Sequence, residues 1–228
     1  MKPSTLHEIK ACVFDAYGTL FDVHSAVAQH THRMANASAV SMLWRTKQLE
    51  YTWLRTLMGR YIDFWEVTGD ALDFALDTSG ISDSQLRDDL LQAYLSLSCY
   101  SEVPEVLEQL KKRHIRCAIL SNGSPEMLAA AVKNAGLESS FDAVLSVDQI
   151  RIYKPDPRVY QQAVDALGLE ASEIAFQSSN AWDAAGASAF GFQVVWVNRF
   201  GQKAERLGVS VSAELPDLSG LPELLSEP

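Results

Sequence analysis

The chain has 228 residues, 47% of them hydrophobic, and its 19 basic and 29 acidic side chains leave a formal net charge of −10. That length holds one α/β domain with an insertion, or two modest domains, and supplies enough apolar surface for a sizeable core. The charge repels nucleic acid, so an anionic substrate needs a local cationic pocket, and no apolar run approaches the ~18 residues that span a bilayer.

The first element is the apolar run 9–14, read as a buried strand that breaks at Asp15 into the small-residue turn of "DAYGTL". From there to Ser101 the pattern turns helical. Leu54, Leu57, Met58, Tyr61, Ile62 and Trp65 follow helical spacing as one stripe, and Leu86, Leu90, Tyr94 and Leu97 form a second after a cap at Ser82 or Asp83. Strands then read at 115–120, 141–147, 174–179 and 192–198. The helices between them take Pro104, Pro125 and Pro157 in their first turns, Ser124 and Asp156 as N-caps, and Gly136, Gly168 and Gly191 as stops. This alternation implies an α/β fold: a Rossmann-like parallel sheet with helices on both faces and an inserted helical cap. The expected division is a core of residues 1–22 and 99–228 and a cap of residues 23–98.

Cys12, Cys99 and Cys117 are odd in number and widely spaced, and two lie in strand-like runs, so they read as packing residues in a reducing cytoplasm. No secretory leader pattern opens the chain. His24, His30 and His32 lack the acidic or thiol partners of a metal site and read as helix-surface or interface residues.

Ligands of an open parallel sheet bind beyond the C-terminal strand ends. Asp15, "SNGS" (121–124), Lys154 and "SSNAWD" (178–183) follow successive strands. Two carboxylates, an amine and several hydroxyl and amide groups therefore share one rim. A lone Asp after a strand is ordinarily a turn residue, but that reading must be invoked independently at four strand ends.

The motifs "DAYGTL", "LSNGS", "YKPD" and "SSNAWD" resemble those of the haloacid dehalogenase superfamily. The longer strings "FDAYGTLFDVHS", "LWRTKQLEYTWLR", "LSNGSPEML" and "YKPDPRVY" resemble its type II (L-2-haloacid) dehalogenases, nearly end to end. The resemblance implies hydrolysis of short-chain L-2-haloacids to D-2-hydroxy acids and halide by a homodimer that uses no cofactor. By motif position it makes Asp15 the nucleophile at C2, Thr19 its orienting partner and Lys154 the nearby positive charge. Asp183 would activate water against the ester, with Ser178 and Asn180 positioning that end of the site. Ser121 and Asn122 would hold the substrate carboxylate and contact the halide. Arg45 and the ring edge of Trp182 would cradle the halide, with Tyr17, Leu49, Phe64 and Trp182 as apolar walls and Tyr160 beside substrate or Asp183. Thr46 and Gln177 depart from the family pattern, Gln often following the arginine and an apolar residue preceding the two serines.

Superfamily phosphatases carry acids where this chain has Tyr17 and Ser179. Losing a hard carboxylate ligand disfavours magnesium, and a carbon–halogen bond needs a carboxylate nucleophile whose electron density no cation holds back. A phosphatase and a non-catalytic protein of the same fold remain the alternative readings.

Overall fold

A computed structural model describes residues 6–225; the outermost residues of the expected core span, 1–5 and 226–228, lie outside it. All four residues of β1 (Ala11–Phe14) are buried, which requires a strand covered on both faces. It is a central strand of a six-stranded sheet in the order β3-β2-β1-β4-β5-β6, completed by β2 (Arg116–Ser121), β3 (Ala143–Ser146), β4 (Ile174–Ser178), β5 (Gln193–Val197) and β6 (Ala213–Leu215). Every neighbouring pair is parallel. The chain winds outward one way through β2 and β3 and the other way through β4 to β6, so the topological switch point lies between β1 and β4. That is where a crevice opens in such sheets.

The expected strands are present, four of them trimmed by one to three residues and β2 shifted by one, and β6 is an additional one. Only three residues long, it carries too little alternation to register as a strand in sequence. The helices obey their punctuation. Ser124 accepts a hydrogen bond from the Met127 amide at the start of α6 (Pro125–Asn134), and Asp156 from the Arg158 amide at the start of α7 (Pro157–Leu167). Gly168 and Gly191 end α7 and α8 (Ala181–Phe190) in the left-handed conformation. Pro104 lies in the first turn of α5 (Val103–Lys112). Near the C-terminus, α9 (Leu221–Leu224) packs against α5.

Between β1 and α5 come α1 (Ser25–Ala28), α2 (Ala37–Met58), α3 (Phe64–Thr78) and α4 (Ser84–Tyr94), with α2 and α3 packed along each other. Of the two expected caps before α4, Asp83 is the one used, accepting from the Leu86 amide. The stripe from Leu54 to Trp65 does not lie on one helix. Gly59, at φ 63°, ends α2, and Asp63 caps α3 through the Glu66 amide. Leu54, Leu57 and Met58 are exposed, whereas α2 buries Val40, Trp44, Gln48 and Thr52. Two polar members of this face, Gln48 and Thr52, disguise it in sequence. They are buried because neighbouring groups satisfy them, the Gln48 amide donating to Thr68 Oγ1 at 2.8 Å.

Candidate active site

Asp15 leaves β1 at the switch point, its amide bonded to the Gln177 carbonyl of β4 at 2.9 Å. The next turn doubles back sharply, with Gly18 at φ 93°, a conformation that strains any residue with a Cβ. The turn places Thr19 under the Asp15 carboxylate. Thr19 Oγ1 donates to Asp15 Oδ2 at 3.0 Å and accepts the Ser179 amide at 2.8 Å, tying the β1 turn to the β4 turn.

The other face of the carboxylate meets Lys154. Its ammonium, on a side chain 1% exposed, lies 3.1 Å from Asp15 Oδ1 and 2.9 Å from Asp183 Oδ2. Its backbone amide donates to Asn122 Oδ1 at 3.1 Å, coupling the loop after β3 to the loop after β2. Asp183, in the first turn of α8, is fully buried and also accepts the Tyr160 hydroxyl at 2.8 Å. Asn180 Nδ2 completes the shell of Asp15, donating to Oδ2 at 2.9 Å. A carboxylate thus held by one ammonium, one hydroxyl and one amide is fixed in direction.

Burial opposes charge on Lys154, but Asp15 and then Asp183 outweigh it and hold the ammonium above the ordinary lysine range. Burial pushes the Asp183 carboxyl up, Lys154 offsets part of that rise, and the Asp15 charge adds to it. Asp183 is therefore a stronger base than a solvated aspartate, the property that activation of water uses. The Tyr17 hydroxyl, raised chiefly by burial, stays a neutral phenol.

The helical segment supplies the roof. Arg45 on α2 reaches across to the core, its Nη2 donating to the Tyr17 carbonyl at 3.1 Å and to Asn180 Oδ1 at 3.2 Å, while Nη1 donates to Gln48 Oε1 at 2.7 Å. Phe64 at the start of α3 packs on the Tyr17 ring at 5.7 Å. Leu49 and Trp182 line one cleft with Arg45 and Asn180. The Trp182 indole stands edge-on to Trp53 at 5.2 Å, and its buried N–H has no hydrogen-bond partner among the described residues.

Ser121 lies buried at the end of β2 with Asn122 beside it, and its Oγ accepts the Gly123 amide at 3.1 Å. Ser178 reaches the site through Asn180: its Oγ accepts the Asn180 amide at 3.1 Å and shapes the turn that carries it. Sequence reasoning missed Gln48 and Tyr94. Tyr94 stacks on Tyr17 at 5.6 Å and its hydroxyl donates to Gln48 Oε1 at 3.1 Å. The available signal for Gln48 is its place three residues after Arg45, on the same helical face. Gly123 was not singled out either, yet a Cβ there would stand 2.6 Å from the Tyr17 ring.

The model of the haloacid dehalogenase-like hydrolase family matches residues 9–191. The chain belongs to that family. It is 51% identical over 219 residues to (S)-2-haloacid dehalogenase 1 of Pseudomonas sp. (strain CBS-3), covering 95% of this chain and 96% of that one. A solved dehalogenase structure superposes with a TM-score of 0.94 at 50% identity, covering 96% of this chain and 98% of that chain. L-2-haloacid dehalogenase from Xanthobacter autotrophicus, solved with chloropropionic acid covalently bound, gives 0.88 at 41% identity, covering 95% and 98%.

Proposed function

We propose that this protein hydrolyses short-chain L-2-haloacids to D-2-hydroxy acids and halide through an ester on Asp15. One observation carries the reading: the Asp15 carboxylate is held by Lys154, Thr19 and Asn180 in a buried chamber where the same ammonium reaches a second carboxylate, Asp183. The dehalogenase relatives support the carbon–halogen bond as the target.

An Asp15 oxygen attacks C2 opposite the halogen, forming the C–O ester bond as the carbon–halogen bond breaks and the halide leaves with the electron pair. A halide needs no proton, so the phenol at position 17 is no handicap. Arg45 and the Trp182 ring edge meet the departing charge, a planar, weakly hydrated guanidinium suiting a large soft anion. Ser121 and Asn122 bind the substrate carboxylate. Tyr17, Leu49, Phe64 and Trp182 exclude water, which strengthens these fixed dipoles. Asp183 then takes a proton from water as hydroxide oxygen adds to the ester carbonyl. The acyl C–O bond breaks, the alkoxide takes the proton that Asp183 holds and leaves as the hydroxy acid, and Asp15, rebuilt with an oxygen from solvent, loses the remaining proton to water. Tyr160 holds Asp183 for this step, while Ser178 acts through Asn180.

The reaction in this reading needs no metal, because Lys154 and Arg45 supply the positive charge that a cation supplies in phosphatases. Residues 23–98 act as the cap and residues 1–22 and 99–228 as the core. Of the apolar residues that α2 and α3 leave outside, Leu54, Leu57, Met58 and Phe74 form the interface of a homodimer. A cytoplasmic location fits Cys12 and Cys117, which face each other in register on β1 and β2 as free thiols.

The test is one turnover of L-2-chloropropionate with excess enzyme in heavy-oxygen water, with and without EDTA. The expected result is D-lactate carrying light oxygen, a heavy atom in the Asp15 peptide, and no effect of chelation. Solvent oxygen in that first product, retained configuration, or activity that chelation abolishes and magnesium restores refutes the mechanism.

A further inference from the structure

A second cationic feature lies outside the reaction chamber, where the end of α2 meets the loop between β3 and α7. Arg55, Thr56, Arg60, Tyr61, Arg151 and Arg158 line a cleft of about 580 Å³ there. It gathers four of the chain's eleven arginines in a protein of net charge −10, and among the described residues no carboxylate lines it. Arg55 is paired with Asp70 and Arg158 with Asp156. Arg60 and Arg151 are exposed and have no ion-pair partner among the described residues, Arg151 resting instead 4.9 Å over the Tyr61 ring. Asp148, the neighbouring acid, accepts the Tyr61 hydroxyl at 2.8 Å.

The two sides of the cleft are already stitched together. The Tyr153 amide donates to Thr56 Oγ1 at 3.1 Å, and the Tyr153 hydroxyl to the Ile62 carbonyl at 2.7 Å. Tyr153 immediately precedes Lys154, so whatever draws Arg60 toward Arg151 presses the helical segment onto the loop that carries the site's ammonium.

We propose that this cleft binds a dianionic oxyanion group, phosphate in chemistry, between Arg60 and Arg151, and that its occupation fastens the helical segment to the core. Guanidinium forks match such a group two hydrogen bonds at a time. Two arginines without ion-pair partners match its two charges, while Asp70 and Asp156 keep the flanking pair oriented. The cleft is much larger than a bare tetrahedral anion, so the group is either free or the terminus of a larger molecule.

The experiment is thermal unfolding of the full chain with inorganic phosphate and, separately, glycerol 2-phosphate, against sodium chloride of equal ionic strength. The expected result is a saturable Tm rise of about 3–5 °C at ten times Kd. It should be absent in the Arg60→Gln/Arg151→Gln double variant and largely retained in Arg60→Lys/Arg151→Lys. Tighter binding of glycerol 2-phosphate assigns the site to the esterified group, and equal binding assigns it to the free anion. Both residues are exposed, so the variants should fold, which circular dichroism checks. A rise no larger than with sodium chloride, or the same rise in the glutamine variant, overturns the proposal; the latter outcome would place phosphate in the reaction chamber. Halide release in the absence of phosphate is a separate readout that leaves the dehalogenase reading intact either way.

Discussion

Replacing Lys154 with Met removes the charge that bridges Asp15 and Asp183 while keeping a side chain of similar length. At the observed 3.1 Å and 2.9 Å, each attraction is about 5–6 kcal/mol with an effective dielectric constant near 20. Desolvation of the buried ions cancels much of that sum. Loss of one partner from such a cluster therefore costs about 3–5 kcal/mol of stability at neutral pH. The loss should depend on pH in a definite direction. Without the ammonium, the Asp183 carboxyl, already raised by burial, rises further, so the folded variant binds a proton that the unfolded chain releases. A carboxyl raised in the folded state favours folding below its unfolded value, near 3.9, and loses that contribution as pH climbs through the folded value. The deficit against the parent protein should thus be small at pH 5 and larger at pH 8. Urea unfolding at the two pH values measures it. Halide release should fall by at least about 10²-fold, the scale for removing one preorganised charge partner. An equal deficit at both pH values, or turnover within tenfold of the parent, would refute the assignment of Lys154 as the charge that bridges Asp15 and Asp183.

The remaining expectations address single contacts. Tyr160→Phe deletes the hydrogen bond that lowers the Asp183 carboxyl against its burial, so the acid limb of kcat should move to higher pH; a pH–rate profile with an unmoved limb would assign Tyr160 to packing alone. Leu57, 83% exposed on α2, should break the proposed dimer when changed to Glu, with little effect on monomer folding. Sedimentation velocity reads the species, and an unchanged dimer would move the interface elsewhere.

What the sequence determines by itself is local and periodic. Five strands, the proline and glycine punctuation of the core helices, and the order of four strand-end motifs were legible because a buried parallel strand is an unbroken apolar run and a cap is a single residue type at a fixed place. Motif order, combined with the rule that ligands lie beyond the strand ends, was enough to gather Asp15, Lys154 and Asp183. Tertiary structure decided what depends on partners distant in the chain. Gln48 and Thr52 look like exposed polar residues of α2, yet they form part of its buried face because Thr68, Tyr94 and the α2 backbone satisfy their hydrogen bonds. Leu57 and Met58 look like core, yet Gly59 turns the chain before they can face it. β6 needs β5 to exist as a strand. In each case the missing quantity is a neighbour many residues away, and side-chain burial is a property of that neighbour as much as of the residue itself.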